Sequence, residues 1–192
     1  MKTDYLTFTV ERRESLEPND QKAGEIYSRL GYGIADAIAD LVDNSVDAGA
    51  SHVLIRFERS SGGIHRVLIV DDGHGMKAEA LREAMRFGSD VKSSDKHLGK
   101  YGIGLKSASL SQAEVVTVLS KVGRSHVGRR WTLQNIKKHW SCEILDSAGV
   151  EPAFGVAYGD VKVKRSGTLV IWEKLEHLRA LPANIDKVLG QS

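Results

Sequence analysis

The chain has 192 residues, 27 Lys+Arg against 25 Asp+Glu, a formal net charge of +2 and 41% hydrophobic residues. This is a globular composition with apolar material for one core, and it excludes a disordered tail, a collagen-like repeat and a coiled coil. No apolar run reaches the ~18 residues of a membrane span, and the first 20 residues hold no signal core, so a cytoplasmic setting without membrane partners is expected. The single cysteine, Cys142, fits a thiol-reducing compartment and reads as a packed small hydrophobe.

In chain order, Tyr5, Thr7, Phe8 and Val10 suit a short edge strand, and a helix is expected over 21–30, stopped by Gly31 and Gly33. Ile34, Ile38, Leu41 and Val42 then recur at i, i+4, i+7 and i+8, the apolar face of an amphipathic helix that Gly49 ends. Its other face carries Asp36, Asp40, Asn44 and Asp47. Two β-branched-rich runs, 52–59 and 64–70, flank Ser60-Ser61-Gly62-Gly63 and predict a hairpin. The second run leads into Asp71-Asp72-Gly73-His74-Gly75-Met76. A helix is expected over 78–87, and a long polar, glycine-bearing connector follows to Gly104, a candidate mobile loop. A helix over 105–110 comes next, then strands over 114–122, 126–133, 140–145, 156–164 and 168–172, and a weak helix over 178–192. Strand-rich stretches flanking helices suggest an α+β two-layer sandwich. Lys121, Arg124, Arg129, Arg130, Lys137 and Lys138 form a loose basic cluster that reads as a solvated sheet face; nucleic-acid binding has no clear footprint.

Four features carry chemistry. Asp40, Asn44 and Asp47 project from nearly one side of a helix, and no basic residue occurs between Arg29 and Arg56 to compensate them. Oxygen ligands of this kind suit a hydrated Mg²⁺ or an activated water; a solvated acidic face is the alternative. Asp71 at a strand end, before glycines 73 and 75, can accept from an exocyclic amine, unless the segment is a simple Asp-Gly turn. The run from Gly99 through Gly102 and Gly104 opens a helix, where backbone N–H groups and the helix dipole favour phosphate. Polar loop precedes Gly99, so a Rossmann unit does not fit, and the glycine spacing is not that of a Walker A loop. Last, Thr168 follows Gly167 at the start of an apolar strand, where its hydroxyl can meet a base or a water.

Together and in this order, the four features resemble the Bergerat-fold ATPases, the GHKL superfamily of gyrase, heat shock protein 90, histidine kinases and MutL. DLVDNSVDAGA resembles the N box, DDGHGM the DxGxG box, GKYGIGLKS the second glycine box, and Gly167-Thr168 the closing threonine. The segments IADLVDNSVDAGA, RFGSD and YGIGLKSAS are most similar to MORC-type and related bacterial members. The resemblance implies a mostly antiparallel mixed sheet, an ATP-binding domain over 21–175, an N-terminal segment over 1–20, and a helical tail over 176–192 that leads toward a further domain. It implies that Asn44 holds Mg²⁺, that Asp71 accepts the adenine amino proton with a water shared by Thr168, and that Ala48, Gly75 and Met76 line the adenine pocket. Gly99, Tyr101, Gly102, Ile103, Gly104, Leu105 and Lys106 are implied to cradle the phosphates, and residues 77–101 to include an ATP lid. Asp40 stands where many hydrolysing members carry Glu; it keeps a general base's carboxylate but is shorter by one C–C bond, about 1.5 Å.

The expected function is therefore Mg²⁺-dependent ATP binding with slow hydrolysis to ADP and phosphate, the nucleotide driving lid closure and homodimerisation. In this family the Lys or Arg that meets the γ-phosphate generally comes from a following domain, so a downstream domain or a partner protein is expected to complete the site. A non-hydrolysing nucleotide-binding module is the alternative. A histidine-kinase catalytic domain fits less well, because none of the seven histidines has that family's Glu-Pro context; nor do they show the HxH or HExxH spacing of a zinc site.

Overall fold

The computed structural model describes residues 6–17, 33–60, 63–86, 104–156, 158 and 163–175. Its strands are β1 (Val10–Ser15), β2 (Val53–Ser60), β3 (Gly63–Asp71), β4 (Val115–Val122), β5 (Ser125–Thr132), β6 (Ser141–Leu145) and β7 (Ser166–Glu173). Its helices are α1 (Ile34–Asp47), α2 (Ala78–Met85), α3 (Gly104–Gln112), α4 (Leu133–His139) and α5 (Ser147–Gly155). The strands form one sheet in the order β1-β6-β5-β4-β7-β3-β2, and every pairing is antiparallel. The architecture is α+β, as expected, with no parallel pair among the described strands.

Strand alternation gives this sheet two apolar faces. Val67 and Ile69 of β3, Val116 and Val118 of β4, and Val170 and Trp172 of β7 face α1, α2 and α3, which contribute Ile38, Leu41, Leu81, Met85, Leu105 and Ala108. The residues between them, Leu68, Val70, Leu119, Leu169 and Ile171, face the other way and meet Val150, Ala153 and Phe154 of α5, with Leu6, Tyr158 and Val163. The three-helix layer is the expected one. The far face is not left to water but closed by α5 and irregular chain.

The α1 helix forms where the apolar spacing predicts it. Asp36 sits in its first turn, where a carboxylate suits the positive end of the dipole. At the other end Gly49, at φ 68°, donates to Val46 O (2.9 Å) and Ala50 donates to Ser45 O (3.0 Å), a paired closure that needs a left-handed residue at position 49. The β2–β3 hairpin pairs Val53 with Asp71 and Ser60 with Gly63, so the Asp71 carboxylate lands at the strand end nearest the α1–β2 connection.

Several elements differ from expectation. The N-terminal strand lies at Val10–Ser15, further along than Tyr5–Val10. The chain after β5 turns helical because Thr132 caps it, its hydroxyl accepting from Asn135 N at 3.1 Å. No described residue of 156–164 lies in a strand. Asp146 caps α5 across 147–155 instead, and Tyr158 makes a single bridge while its hydroxyl donates to Ala153 O at 2.7 Å. The basic cluster is not one solvated face. Arg129 and Arg130 are consecutive strand residues, so they point to opposite sides: Arg129 is buried against Glu14 (2.9 Å), and Arg130 donates to Thr117 (3.1 Å). Cys142 is fully buried, and burial pushes its thiol up to about 12, consistent with a packing role. The expected helices over 21–30 and 178–192 and the expected mobile loop before Gly104 lie outside the described residues. Among the described residues no helix is long and apolar enough to cross a membrane.

Candidate nucleotide site

A pocket opens where α1, the loop after β3, the start of α3 and the start of β7 meet. Leu41, Asn44, Ser45, Ala48, Ile69, Asp71, His74, Gly75, Met76, Ala84, Leu105, Thr168 and Val170 line it, around about 560 Å³ of space that is partly open to solvent. Seven residues expected from the sequence thus come together here: Asn44, Ala48, Asp71, Gly75, Met76, Leu105 and Thr168. They are drawn from four separate stretches of chain, and the sheet order β4-β7-β3 brings the last strand beside the third. Gly104 is the first residue of α3, and Lys106 lies in the same helix. Gly99, Tyr101, Gly102 and Ile103 lie outside the described residues. Asp40 is half-buried one turn before Asn44 on α1, but it does not line the pocket.

Asp71 is the chemical centre. Its residue is 6% exposed, and the carboxylate accepts three hydrogen bonds: Oδ1 from Gly73 N (2.9 Å) and Thr168 N (3.1 Å), Oδ2 from Ser45 Oγ (3.2 Å). A carboxylate offers about four acceptor positions, so one is left unused among the described residues. Burial raises its pKa to about 6; the three donors pull the other way, and the neighbouring Asp72 adds to the rise. Among the described residues no ion pair reaches Asp71. A buried acid without a cation suits a neutral donor such as an exocyclic amine, which needs an acceptor but no counter-charge.

Asp72, the next residue, does a different job. Its Oδ1 accepts from Ser51 N (2.7 Å) and His52 N (2.8 Å), and its Oδ2 meets His52 Nδ1 (2.9 Å). Burial raises its pKa, but these bonds more than offset it and hold the carboxyl below its ordinary value. Asp72 thus pins the α1–β2 connection to the site loop, while His74 N donates to Ala48 O (2.9 Å) from the same loop. Gly75 lets that loop nest against the sheet: it has φ 66°, and a Cβ there would collide with Lys121 O.

Asn44 is half-buried, and its Nδ2 is shielded from solvent without a hydrogen-bond partner among the described residues. In either orientation of the amide, one polar atom on the pocket wall is left for a ligand or its ion. Six lining residues were not anticipated as such, and two of them, Ser45 and His74, are polar. Ser45 follows Leu41 by one turn and therefore lies on the buried side of α1; a hydroxyl within the apolar stripe was the available signal. Its Oγ sits 3.1 Å from Leu41 O as well as against Asp71. His74 stands between the two glycines and carries no spacing signal.

The description "Histidine kinase-, DNA gyrase B-, and HSP90-like ATPase" matches residues 32–168, most of the chain and every pocket-lining residue except Val170. Among curated proteins, the chain is similar to Protein MICRORCHIDIA 6 of Arabidopsis thaliana, 38% identical over 44% of this chain and 13% of that protein. It is similar to Protein MICRORCHIDIA 3 of the same plant, 36% identical over 53% of this chain and 19% of that protein. It is also similar to the DNA mismatch repair protein MutL of Methanothrix thermoacetophila, 36% identical over 59% of this chain and 20% of that protein. The matches thus span a fifth or less of these relatives' own length. With the family match covering residues 32–168, more than half of its length, this chain belongs to the histidine kinase-, DNA gyrase B- and HSP90-like ATPases.

Proposed function

We propose that this domain binds ATP with Mg²⁺ and hydrolyses it slowly to ADP and phosphate, the nucleotide acting as a conformational switch within a larger assembly. The single observation that carries the reading is the buried Asp71 carboxylate on the floor of a pocket walled by apolar side chains, which meets no cation and keeps one acceptor position among the described residues. Adenine fills such a slot with its flat face against Ile69, Met76, Leu105 and Val170 while its amino group donates to Asp71. Thr168 keeps the neighbouring hydroxyl for a bridging water. The phosphates then run toward Asn44 and the helix end that begins at Gly104, where the glycine run from Gly99 supplies backbone donors.

The donor set fits Mg²⁺. Among the described residues no three His, Cys, Asp or Glu side chains gather, and Mg²⁺ characteristically takes one or two protein oxygens and fills the rest of its shell with phosphate and water. Asn44 would hold it; when bound, the ion neutralises charge building on the phosphate oxygens. Asp40 is the general base of this reading. Its carboxylate takes a proton from the water that attacks the γ-phosphorus, and ADP departs with the oxygen that bridged the β- and γ-phosphates. Because Asp is shorter than Glu and this one stands outside the pocket wall, a poor fit on the 1 Å scale lowers the rate by on the order of 100-fold.

That same placement of Asp40 favours the second reading, a nucleotide-binding module without useful turnover. Steady-state phosphate release separates the two. Release that exceeds background and falls with Asp40→Ala supports hydrolysis; equal background rates in both proteins leave only binding. Lid closure by residues 77–101, ATP-dependent homodimerisation, a downstream domain or partner that supplies the γ-phosphate cation, a cytoplasmic location and the domain limits 21–175 belong to this proposal. Protection of the 92–100 stretch from proteolysis by a non-hydrolysable analogue tests the closure.

A further inference from the structure

Outside the pocket wall, the most completely used polar side chain near the site is a serine that none of the motifs contains. Ser120, on β4, is fully buried. Its alternation partners Val116 and Val118 face the three-helix layer, so Ser120 points to the same side. Its Oγ accepts from Met76 N at 2.7 Å and donates to Gly167 O at 3.2 Å. One hydroxyl therefore ties the end of the DDGHGM loop to the residue before Thr168. Around this link the packing has no slack. Gly75 abuts Lys121 O, Thr168 lies opposite Ser120 in the β4–β7 register and opposite Asp71 in the β3–β7 register, and Thr168 N donates to Asp71.

We propose that Ser120 is a positioning residue for base recognition: by clamping Met76 and Gly167 together it fixes the spacing between the loop that covers the base and the strand that presents Thr168 and the Asp71 carboxylate. The inference rests on the ATP reading of the pocket. Ser120 does not line the pocket, so it acts through Met76, Gly167 and Thr168. Removing the hydroxyl leaves a part-buried N–H and a buried C=O without their shared partner, and the loop and strand re-space to regain partners.

The test compares the wild type, Ser120→Ala, Ser120→Thr and Thr117→Ala by calorimetric titration with ATP, GTP and inorganic tripolyphosphate, alongside thermal melting. Thr117 is equally buried on the same strand, but its hydroxyl serves Arg130 on the far face. Expected for Ser120→Ala is about tenfold weaker ATP binding, a narrowed ATP-to-GTP preference and unchanged tripolyphosphate binding, with Ser120→Thr restoring the preference. Thr117→Ala melts earlier without changing the preference. If the wild type binds ATP well and Ser120→Ala matches it in ATP affinity and base preference, whatever its melting temperature, the positioning role is wrong and the ATP reading survives. If the wild type binds no ATP, both fall.

Discussion

The charged networks of the sheet and the Asp71 site handle charge in opposite ways. On the far face, cross-strand neighbours alternate in sign: Arg66 pairs with Glu58 (3.2 Å) and Glu173 (3.0 Å), and Glu143 pairs with Arg13 (2.9 Å) and lies 3.9 Å from Arg130. On the helix face, Glu14 is likewise shared by Arg82 and Arg129, at the end of the sheet away from β7. Asp71, more deeply buried than Glu14, receives only two amides and a hydroxyl among the described residues. The ladder of alternating charges is self-sufficient and stabilises the sheet. The Asp71 site is left short of one donor, and a buried polar group left short is where a ligand binds.

The largest expected effect follows from reversing that shortage. Asp71→Asn places an amide N–H where the carboxylate oxygen should accept, so ATP affinity falls on the order of 100-fold by titration calorimetry. The fold does not suffer. Burial raises Asp71 above its ordinary 3.8 to about 6, so its contribution favours the folded chain below 3.8 and is lost as pH rises through about 6. At pH 8 the Asn variant therefore melts at the same temperature or higher. An equal loss of stability and affinity would place Asp71 among the structural charges.

The same carboxylate predicts a pH dependence. Its ionised form is the stronger acceptor of the amine, so ATP binding weakens as pH falls through about 6, by up to about tenfold at pH 5 relative to pH 7.5. The far-face ladder has no part in this, and the profile should flatten in Asp71→Asn. Asn44→Ala is expected to remove the Mg²⁺-dependent part of the thermal protection by ATP and to leave the remainder. The smallest effect tests the other side of the comparison: Thr117→Ala, which deprives Arg130 of a partner, lowers stability by about 1 kcal/mol and leaves the ATP dissociation constant within about twofold.

The sequence made the site more legible than the fold around it. Asn44, Asp71, Gly75 and Thr168 lie in short motifs whose order carries meaning, and α1 shows a clean apolar period. Helices α4 and α5 were hidden because both are short and each depends on one capping side chain, Thr132 or Asp146, that also reads as a turn. Arg129 and Arg130 looked like surface because sequence cannot show that one reaches Glu14 and the other Thr117 across the sheet. Ser45 and Ser120 escaped for a related reason: a serine signals nothing until its partners, distant in the chain, are in place.

The claim that Asp71 makes this an adenine pocket is tested most directly by titrating the wild-type chain at pH 7.5 with ATP and, separately, with GTP, each with Mg²⁺, in a calorimeter. The account predicts saturable one-to-one heat with ATP and at least tenfold weaker binding of GTP, whose ring presents a carbonyl where adenine presents its amine. Equal affinities, or no heat with either nucleotide, would contradict it.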